Sequence, residues 1–223
     1  MKTQHHPEAV QMKPKRIRTW SPLHIREKQF KKMDVNARFQ QLIGVPPPNF
    51  CSIIYGRANQ GKSPFAVQLA QELVRFGRVL YVSSEELISA SLQERLELNQ
   101  INNPNIRFVG MRNVEDIEDK IKRIHPRFIF IDSVQICNMK FDDFTRLKNE
   151  VCKNRKGFHL VSQTTSTGKM LLAEKWGHEV DAQIYVEHGI ATCISRFKSS
   201  GRMVVYEPKN ATKDLFNQPI NSN

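Results

Sequence analysis

A glycine-rich octapeptide constrains the fold of this chain more than any other feature. Residues 56–63 read GRANQGKS and match the phosphate-binding pattern G-x-x-x-x-G-K-[ST]. The apolar run 52–55 before it predicts a strand, and residues 64–76 after it predict a helix. In that setting, backbone N–H groups and a helix N-terminus converge on phosphate oxygens. The pattern predicts that Lys62 contacts the β- and γ-phosphates of ATP and that Ser63 holds Mg²⁺.

The whole loop and the first helical turn belong to this predicted nucleotide site. Pro64 is compatible with it, because a first-turn residue has no intrahelical N–H bond to lose. The predicted nucleotide-binding residues are Gly56, Arg57, Ala58, Asn59, Gln60, Gly61, Lys62, Ser63 and Pro64.

Composition limits the class of protein. The 223 residues are 39% hydrophobic, which suits one core with appendages. No apolar run approaches the roughly 20 residues of a membrane span, and the basic N-terminus lacks the apolar region of a secretory signal. These features predict a cytoplasmic protein without membrane contact. The four cysteines include no C-x-x-C pair, so we expect buried free thiols rather than a zinc site. They are Cys51, Cys137, Cys152 and Cys193.

Positive charge is concentrated near the N-terminus. The formal net charge is +12, and residues 1–50 contain ten Lys or Arg against three Asp or Glu. This asymmetry favours a nucleic-acid partner, although a solvated tail would have the same composition. We expect a basic arm and linker over 1–38, an ATPase core over 39–208 and a flexible tail over 209–223. The candidate nucleic-acid contacts in the arm are Lys13, Lys15, Arg16 and Arg18.

From residue 49 onward, predicted strands and helices alternate, which is typical of an α/β fold with a mainly parallel sheet flanked by helices. The remaining strands are predicted at 79–82, 106–109, 128–131 and 159–162, and the helices at 87–98, 114–124 and 141–153. Short helices are predicted near 24–32 and 35–43, followed by a stiff linker at 44–48. C-terminal antiparallel strands are expected at 184–187, 192–196 and 203–207, with turns at 188–189 and 199–201.

Polar residues follow the predicted central strands. Asp132 ends a four-residue apolar strand, where its carboxylate supplies the second Mg²⁺ anchor that phosphoryl transfer requires. Glu85 and Glu86 follow the strand 79–82, and Glu85 is the candidate base for the attacking water. Both acids would also be favoured at a helix N-terminus by the helix dipole.

Three further residues are candidates for sensing and for charge stabilisation. Gln163 follows the strand 159–162 and is the candidate γ-phosphate sensor. The polar loop 164–169 after it ends in Lys169 and is a candidate nucleic-acid contact, or a plain surface loop. Arg196 closes a late strand and is the candidate arginine finger, with Lys198 as the alternate. A strand-end arginine is also often merely solvated.

These residues in this order resemble the RecA-like P-loop ATPases, and in particular the RadA/Sms branch of DNA-repair ATPases. Residues 77–86 (GRVLYVSSEE) are similar to that branch's G-x-V-L-Y-V-S-G-E-E, and 130–135 (FIDSVQ) to its I-D-S-I-Q. Residues 179–187 are similar to its segment around V-D-T-V-L-Y-F-E. The branch's K-N-R-F-G element appears as ISRFK at 194–198, and Gln163 stands where a histidine is usual. The N-terminal zinc finger and the Lon-like domain of that branch have no counterpart in the sequence.

The resemblance implies a homo-oligomer, either a hexameric ring or a filament, with nucleotides between subunits. It also implies a Mg²⁺-dependent, DNA-stimulated ATPase of recombination, repair or replication that acts on single-stranded DNA. A nucleotide-dependent interaction or loader protein with weak or no hydrolysis is the alternative, since the finger element is altered. A small-molecule kinase is a third hypothesis, but no arginine-rich lid segment is evident.

Overall fold

The computed structural model describes residues 19–165, 172 and 174–206. The chain divides into two compact units, Met1–Phe30 and Lys31–Asn223. In the first unit, helix α1 spans Pro22–Glu27, and the Ser21 hydroxyl caps it by accepting from His24 N at 3.3 Å. The helix ends at Lys28, whose backbone is extended, so it is shorter than the predicted 24–32.

The second unit alternates strands and helices. Its elements are α2 (Ala37–Ile43), β1 (Cys51–Gly56), α3 (Lys62–Leu73), β2 (Val79–Ser83), α4 (Ala90–Leu98), β3 (Ile106–Val109), α5 (Val114–Ile124), β4 (Phe128–Asp132), α6 (Phe141–Arg146), β5 (Gly157–Gln163), α7 (Glu174–His178), β6 (Ala182–Glu187), β7 (Ile190–Ser195) and β8 (Lys198–Val204).

One eight-stranded sheet organises this unit, in the order β3-β2-β4-β5-β1-β6-β7-β8. The first six strands in this order are mutually parallel. Strand β7 pairs antiparallel with β6, and β8 pairs antiparallel with β7. The predicted α/β architecture with antiparallel C-terminal strands is therefore confirmed. Since parallel strands share a direction, the ends of β1, β2, β4 and β5 lie at one edge, which is where a doubly wound fold binds its ligands.

The central strands are buried on both faces of the sheet, as expected for parallel strands covered by helices. In β4, Phe128 and Phe130 pack with α3 on one face, while Ile129 and Ile131 pack with α5 on the other. All four side chains are fully buried. Burial of each of these side chains contributes about 1.5–3 kcal/mol to folding. The four together hold β4 in place, and Asp132 at its end is positioned with it.

The core includes residues that precede β1. Met33 and Val35 are buried, and Met33 N donates to the carbonyl of Pro46 at 2.9 Å. The segment 44–48, predicted as a stiff linker, is thus packed against the core. Asn36, which precedes α2, connects this part of the chain to α3. Its backbone N–H and its side-chain amide both donate to the Glu72 carboxylate, at 2.9 and 2.8 Å.

Several element boundaries differ from the sequence predictions. Helix α4 begins at Ala90 rather than at 87, because Ser89 caps it by accepting from Leu92 N at 3.3 Å. The predicted helix 141–153 is α-helical to Arg146 and continues as a π-helix, Leu147–Val151.

The predicted turn at 199–201 is wrong. Residues 199–201 lie within β8, and the β7–β8 turn falls at Arg196 and Phe197. Gly201 marks a close approach instead of a turn. A Cβ atom there would lie 2.0 Å from the carbonyl oxygen of Leu42 in α2. All four cysteines are buried free thiols, as predicted.

Candidate nucleotide site at the carboxyl edge of the sheet

The phosphate-binding loop joins β1 to α3, as the motif requires. Gly61 has a left-handed backbone (φ 106°), and a Cβ atom at this position would lie 2.7 Å from Cε1 of Tyr206. Both facts favour glycine. The first helical hydrogen bond runs from Phe65 N to the Gly61 carbonyl at 2.9 Å, so the free N–H groups of the first turn border the loop.

The ammonium group of Lys62 lies inside the loop. Its side chain is largely buried, and Nζ donates to the carbonyl of Arg57 at 2.7 Å. Burial lowers the pKa of Lys62, while the charges of Asp132 and Glu85 act in the opposite direction. The phosphates of a bound nucleotide would give the Lys62 ammonium a negatively charged hydrogen-bond partner in place of this neutral carbonyl.

Asp132 stands at the end of β4 and is almost fully buried. Its Oδ2 accepts from the hydroxyl of Tyr81 at 2.8 Å, and the Ser63 side chain is also hydrogen-bonded to it. Burial raises the pKa of Asp132, and these two hydrogen bonds oppose the rise. A serine hydroxyl beside a carboxylate is a set of hard oxygen donors, which fits Mg²⁺.

The two consecutive acids after β2 have different surroundings. Glu86 forms a bidentate ion pair with Arg95 of α4, in which Nη1 lies 2.5 Å from Oε2. Glu85 is exposed, and within the described residues its carboxylate accepts no hydrogen bond. Its backbone N–H donates to the carbonyl of Asp132 at 3.3 Å, which keeps it beside the metal-anchor position.

Gln163 ends β5 and is the register partner of Gly56, the first residue of the loop. Gln135 holds this strand end in place: its Nε2 donates to the Ser162 hydroxyl at 2.7 Å, and its Oε1 accepts from Gln163 N at 3.4 Å. Thr164 N in turn donates to the carbonyl of Gly56 at 3.2 Å. The candidate sensor is therefore tied to the phosphate loop by main-chain contacts.

One cleft of about 830 Å³ brings these residues together. It is lined by the predicted residues Ala58, Asn59, Gly61, Lys62, Ser63, Pro64, Glu85, Asp132 and Gln163. Glu86 also lines it, together with seven residues that were not predicted from the sequence: Gln68, Ser83, Arg95, Leu98, Asn99, Val205 and Tyr206. These residues carry no motif: Gln68 lies in α3, Arg95 and Leu98 lie in α4 with Asn99 after its end, and Tyr206 is an isolated aromatic.

The β6–β7 turn brings Tyr206 to the loop. His188 N donates to Gln60 Oε1 at 2.8 Å, and Gly189 N donates to the Gln60 carbonyl at 3.2 Å. Val205 N then donates to the carbonyl of Gly189 at 2.7 Å. This chain of contacts lays the Tyr206 ring against Gly61, so the ring forms one wall of the cleft.

Arg196 lies at the opposite edge of the sheet. Ser195 pairs with Ala182, which pairs with Ser52 at the start of β1, whereas the phosphate loop follows Gly56 at its end. Four residues of strand separate these ends by about 13 Å. Arg196 is 64% exposed, and its Nη1 lies 3.2 Å from Oδ1 of Asp181. The structure therefore does not bring Arg196 to the cleft of its own chain.

The alternate cation is also engaged elsewhere. Lys198 Nζ donates to the carbonyl of Gln41 at 2.7 Å, on the side of α2. The predicted nucleic-acid contacts Lys13, Lys15, Arg16, Arg18 and Lys169 lie outside the described residues. Within the part of the chain that is described, no helix is long and apolar enough to span a membrane.

Comparison with known proteins places the chain among RecA-like folds. No protein-family profile matches it. It is 24% identical to the DNA repair protein RadA of Listeria monocytogenes over 185 residues, which is 73% of this chain and 40% of that protein. RadA of Streptococcus pyogenes is 27% identical over 154 residues, or 63% of this chain and 33% of RadA. The chain thus spans two fifths or less of the length of these curated relatives.

Solved structures support the same fold. The flagellar accessory protein FlaH of Methanocaldococcus jannaschii matches with a TM-score of 0.57 at 13% identity, over 77% of this chain and 93% of FlaH. A KaiC-like protein of Pyrococcus horikoshii matches with a TM-score of 0.53 at 14% identity, over 75% and 88% of the two chains. The resemblance inferred from the motifs is confirmed: this chain has a RecA-like P-loop ATPase fold and is related in sequence to the bacterial RadA proteins.

Proposed function

We propose that this protein is a DNA-associated, Mg²⁺-dependent ATPase of the RecA/RadA type, which acts in recombination, repair or replication. One observation carries the proposal. Five residues from four separate strand ends or loops, predicted independently to bind or hydrolyse ATP, line a single cleft. They are Lys62, Ser63, Glu85, Asp132 and Gln163.

Each residue has a distinct role in the proposed reaction. The ammonium of Lys62 and the N–H groups at the start of α3 bind the β- and γ-phosphates of ATP. Ser63 and Asp132 hold Mg²⁺, which neutralises phosphate charge when bound. Glu85 accepts a proton from the attacking water, since its carboxylate is exposed to the cleft and not engaged by Arg95.

The far wall of the cleft suits the nucleoside. The Tyr206 ring borders Gly61, so a base there would stack on an aromatic face. Gln68 and Asn99 line the same wall and are joined by a 2.8 Å hydrogen bond, which makes this side of the cleft polar. Such contacts would favour a nucleotide over inorganic polyphosphate.

The position of Gln163 supports a coupling between ATP and DNA. An amide that contacts the γ-phosphate from the end of β5 also controls the start of the loop 164–169, which contains Lys169. We propose that single-stranded DNA binds this loop and the basic arm within 1–38, in a homo-oligomeric ring or filament. Arg196, which cannot reach its own cleft, would then act on the nucleotide of a neighbouring subunit.

A second candidate function is a nucleotide-dependent interaction or loader protein that hydrolyses ATP slowly or not at all. The contacts of Arg196 favour it, because the guanidinium is bound to Asp181 and to the carbonyl of His178 at 3.2 Å. An arginine so engaged must exchange these partners before it can act as a finger.

The two functions differ in DNA-stimulated turnover. ATP hydrolysis by the full chain is to be measured with Mg²⁺, in the presence and absence of single-stranded DNA. We expect basal turnover that rises severalfold with DNA. ATP binding without turnover under both conditions would reject the first function in favour of the second.

A further inference from the structure

A row of cations lies along the amino ends of β2, β4 and β5, the sheet edge opposite to the nucleotide cleft. These strands begin at Val79, Phe128 and Gly157, which are register partners. The residue before each of them therefore stands level with its neighbours, at a strand spacing of about 4.8 Å. These three residues are Arg78, Arg127 and Lys156, and Arg155 comes directly before Lys156. We call the four residues the cationic row.

Hydrogen bonds to carbonyl groups hold the row together. Arg127 N donates to the carbonyl of Arg78 at 2.7 Å, and the Arg127 guanidinium donates to the carbonyl of Arg155. Lys156 Nζ donates to the carbonyl of Pro126 at 2.6 Å. These contacts fix the positions of the cations but supply no neutralising charge.

The positive charge of the row is uncompensated. Across residues 19–165, 172 and 174–206, none of its four members forms an ion pair with a carboxylate. Burial lowers the pKa of Lys156, and the charge of Arg127 lowers it further. Arg78 and Arg155 are exposed, so a bound anion can reach them.

We propose that the cationic row binds the sugar–phosphate backbone of DNA, at a surface separate from the nucleotide cleft. This inference rests on the proposed DNA-associated function and adds a location to it. Guanidinium groups match phosphate geometry and can bind it through two parallel hydrogen bonds.

The surroundings of the row favour backbone contact over base contact. In residues 31–165, 172 and 174–206, the one aromatic side chain of the exposed class is Tyr206, which belongs to the cleft at the other edge. Without an aromatic platform, bases have no stacking partner at the row. Binding there is therefore independent of sequence and extends to duplex as well as to single-stranded DNA.

The test uses the full chain with a double substitution of the two exposed arginines, Arg78→Ala with Arg155→Ala. The matched control is Lys120→Ala with Lys122→Ala on α5, which removes the same charge where Glu118 already pairs with Lys122. Affinity for labelled oligothymidylate and for a duplex is measured against salt concentration. Each lost phosphate contact lowers the log–log slope by about 0.7 for single strands, so we expect a decrease of about 1.4 for the double variant and none for the control.

Two further measurements make the outcome decisive. Arg78→Lys with Arg155→Lys retains the charge and is expected to keep the wild-type slope. DNA-free ATP turnover and the thermal unfolding midpoint of the alanine variant should equal those of the wild type. A wild-type slope in the alanine variant would overturn this inference and leave the proposed function standing. If the wild type binds no DNA at all, the proposed function fails as well.

Discussion

The guanidinium of Arg95 donates to both carboxylate oxygens of Glu86, which holds the second of two consecutive acids against α4. Both acids line the cleft, but Glu85 is not engaged by Arg95. We predict that Glu85→Gln keeps ATP affinity but lowers turnover by about 100-fold or more, as expected for loss of a general base. Glu86→Gln is the matched control and should retain turnover. Normal turnover in the first variant with loss in the second would assign the base to Glu86.

Tyr206 should contribute to nucleotide affinity. Its ring lies against Gly61 and lines the cleft, and stacking on a base is worth about 1–3 kcal/mol. Tyr206→Ala is therefore expected to weaken ATP binding by about 5- to 150-fold, whereas Tyr206→Phe should bind like the wild type. Titration of a fluorescent ATP analogue measures both. Equal affinity of all three proteins would place the base elsewhere in the cleft.

Arg196 should act only between subunits. It lies at the sheet edge opposite to Lys62, so the two residues cannot serve one nucleotide within a chain. We predict that Arg196→Ala lowers turnover by orders of magnitude with a small effect on ATP affinity. Mixing Arg196→Ala subunits with Lys62→Ala subunits should restore part of the activity, because a mixed interface can pair two intact residues. No recovery, with assembly verified by light scattering, would exclude action in trans.

We predict that His159 makes the free energy of unfolding depend on pH. It is fully buried in β5, its Nδ1 lies 2.9 Å from the Ser52 hydroxyl, and burial lowers its pKa from 6.5 to about 3. Between these values the unfolded chain binds a proton that the folded chain does not. Stability is therefore lost as the pH falls below about 6.5, by up to about 1.4 kcal/mol per pH unit.

The variant His159→Gln should remove this contribution while keeping a hydrogen-bonding partner for Ser52. Urea unfolding of both proteins across this pH range measures the effect. We expect a flatter stability curve for the variant. Parallel curves for the two proteins would show that His159 does not titrate as its burial implies.

Local signals were sufficient for the elements that carry the phosphate chemistry. Helix α5 matches its predicted bounds, because Asn113 caps it and Ile117 and Ile121 recur on its buried face. Strand β4 ends at Asp132 as predicted, because the buried apolar run stops there. The convergence of strand ends at one edge then follows from parallel pairing alone.

The remaining features depend on contacts between distant segments. Gly201 reads as a turn residue, but it is required by the approach of Leu42, which lies far away in the sequence. Tyr206 reaches the phosphate loop only through the β6–β7 turn. The cationic row joins three segments through strand register, and register cannot be read from any single segment.

The central claim is that the cleft around Lys62 binds and hydrolyses Mg²⁺-ATP. Its most direct test compares ATP affinity and turnover of the wild type, Lys62→Ala and the control Lys120→Ala, which removes a lysine from α5 outside the cleft. We predict that Lys62→Ala loses productive ATP binding and turnover, because the ammonium offsets several phosphate charges, and that the control equals the wild type. Unchanged affinity and turnover in Lys62→Ala would contradict the assignment of this cleft as an ATPase site.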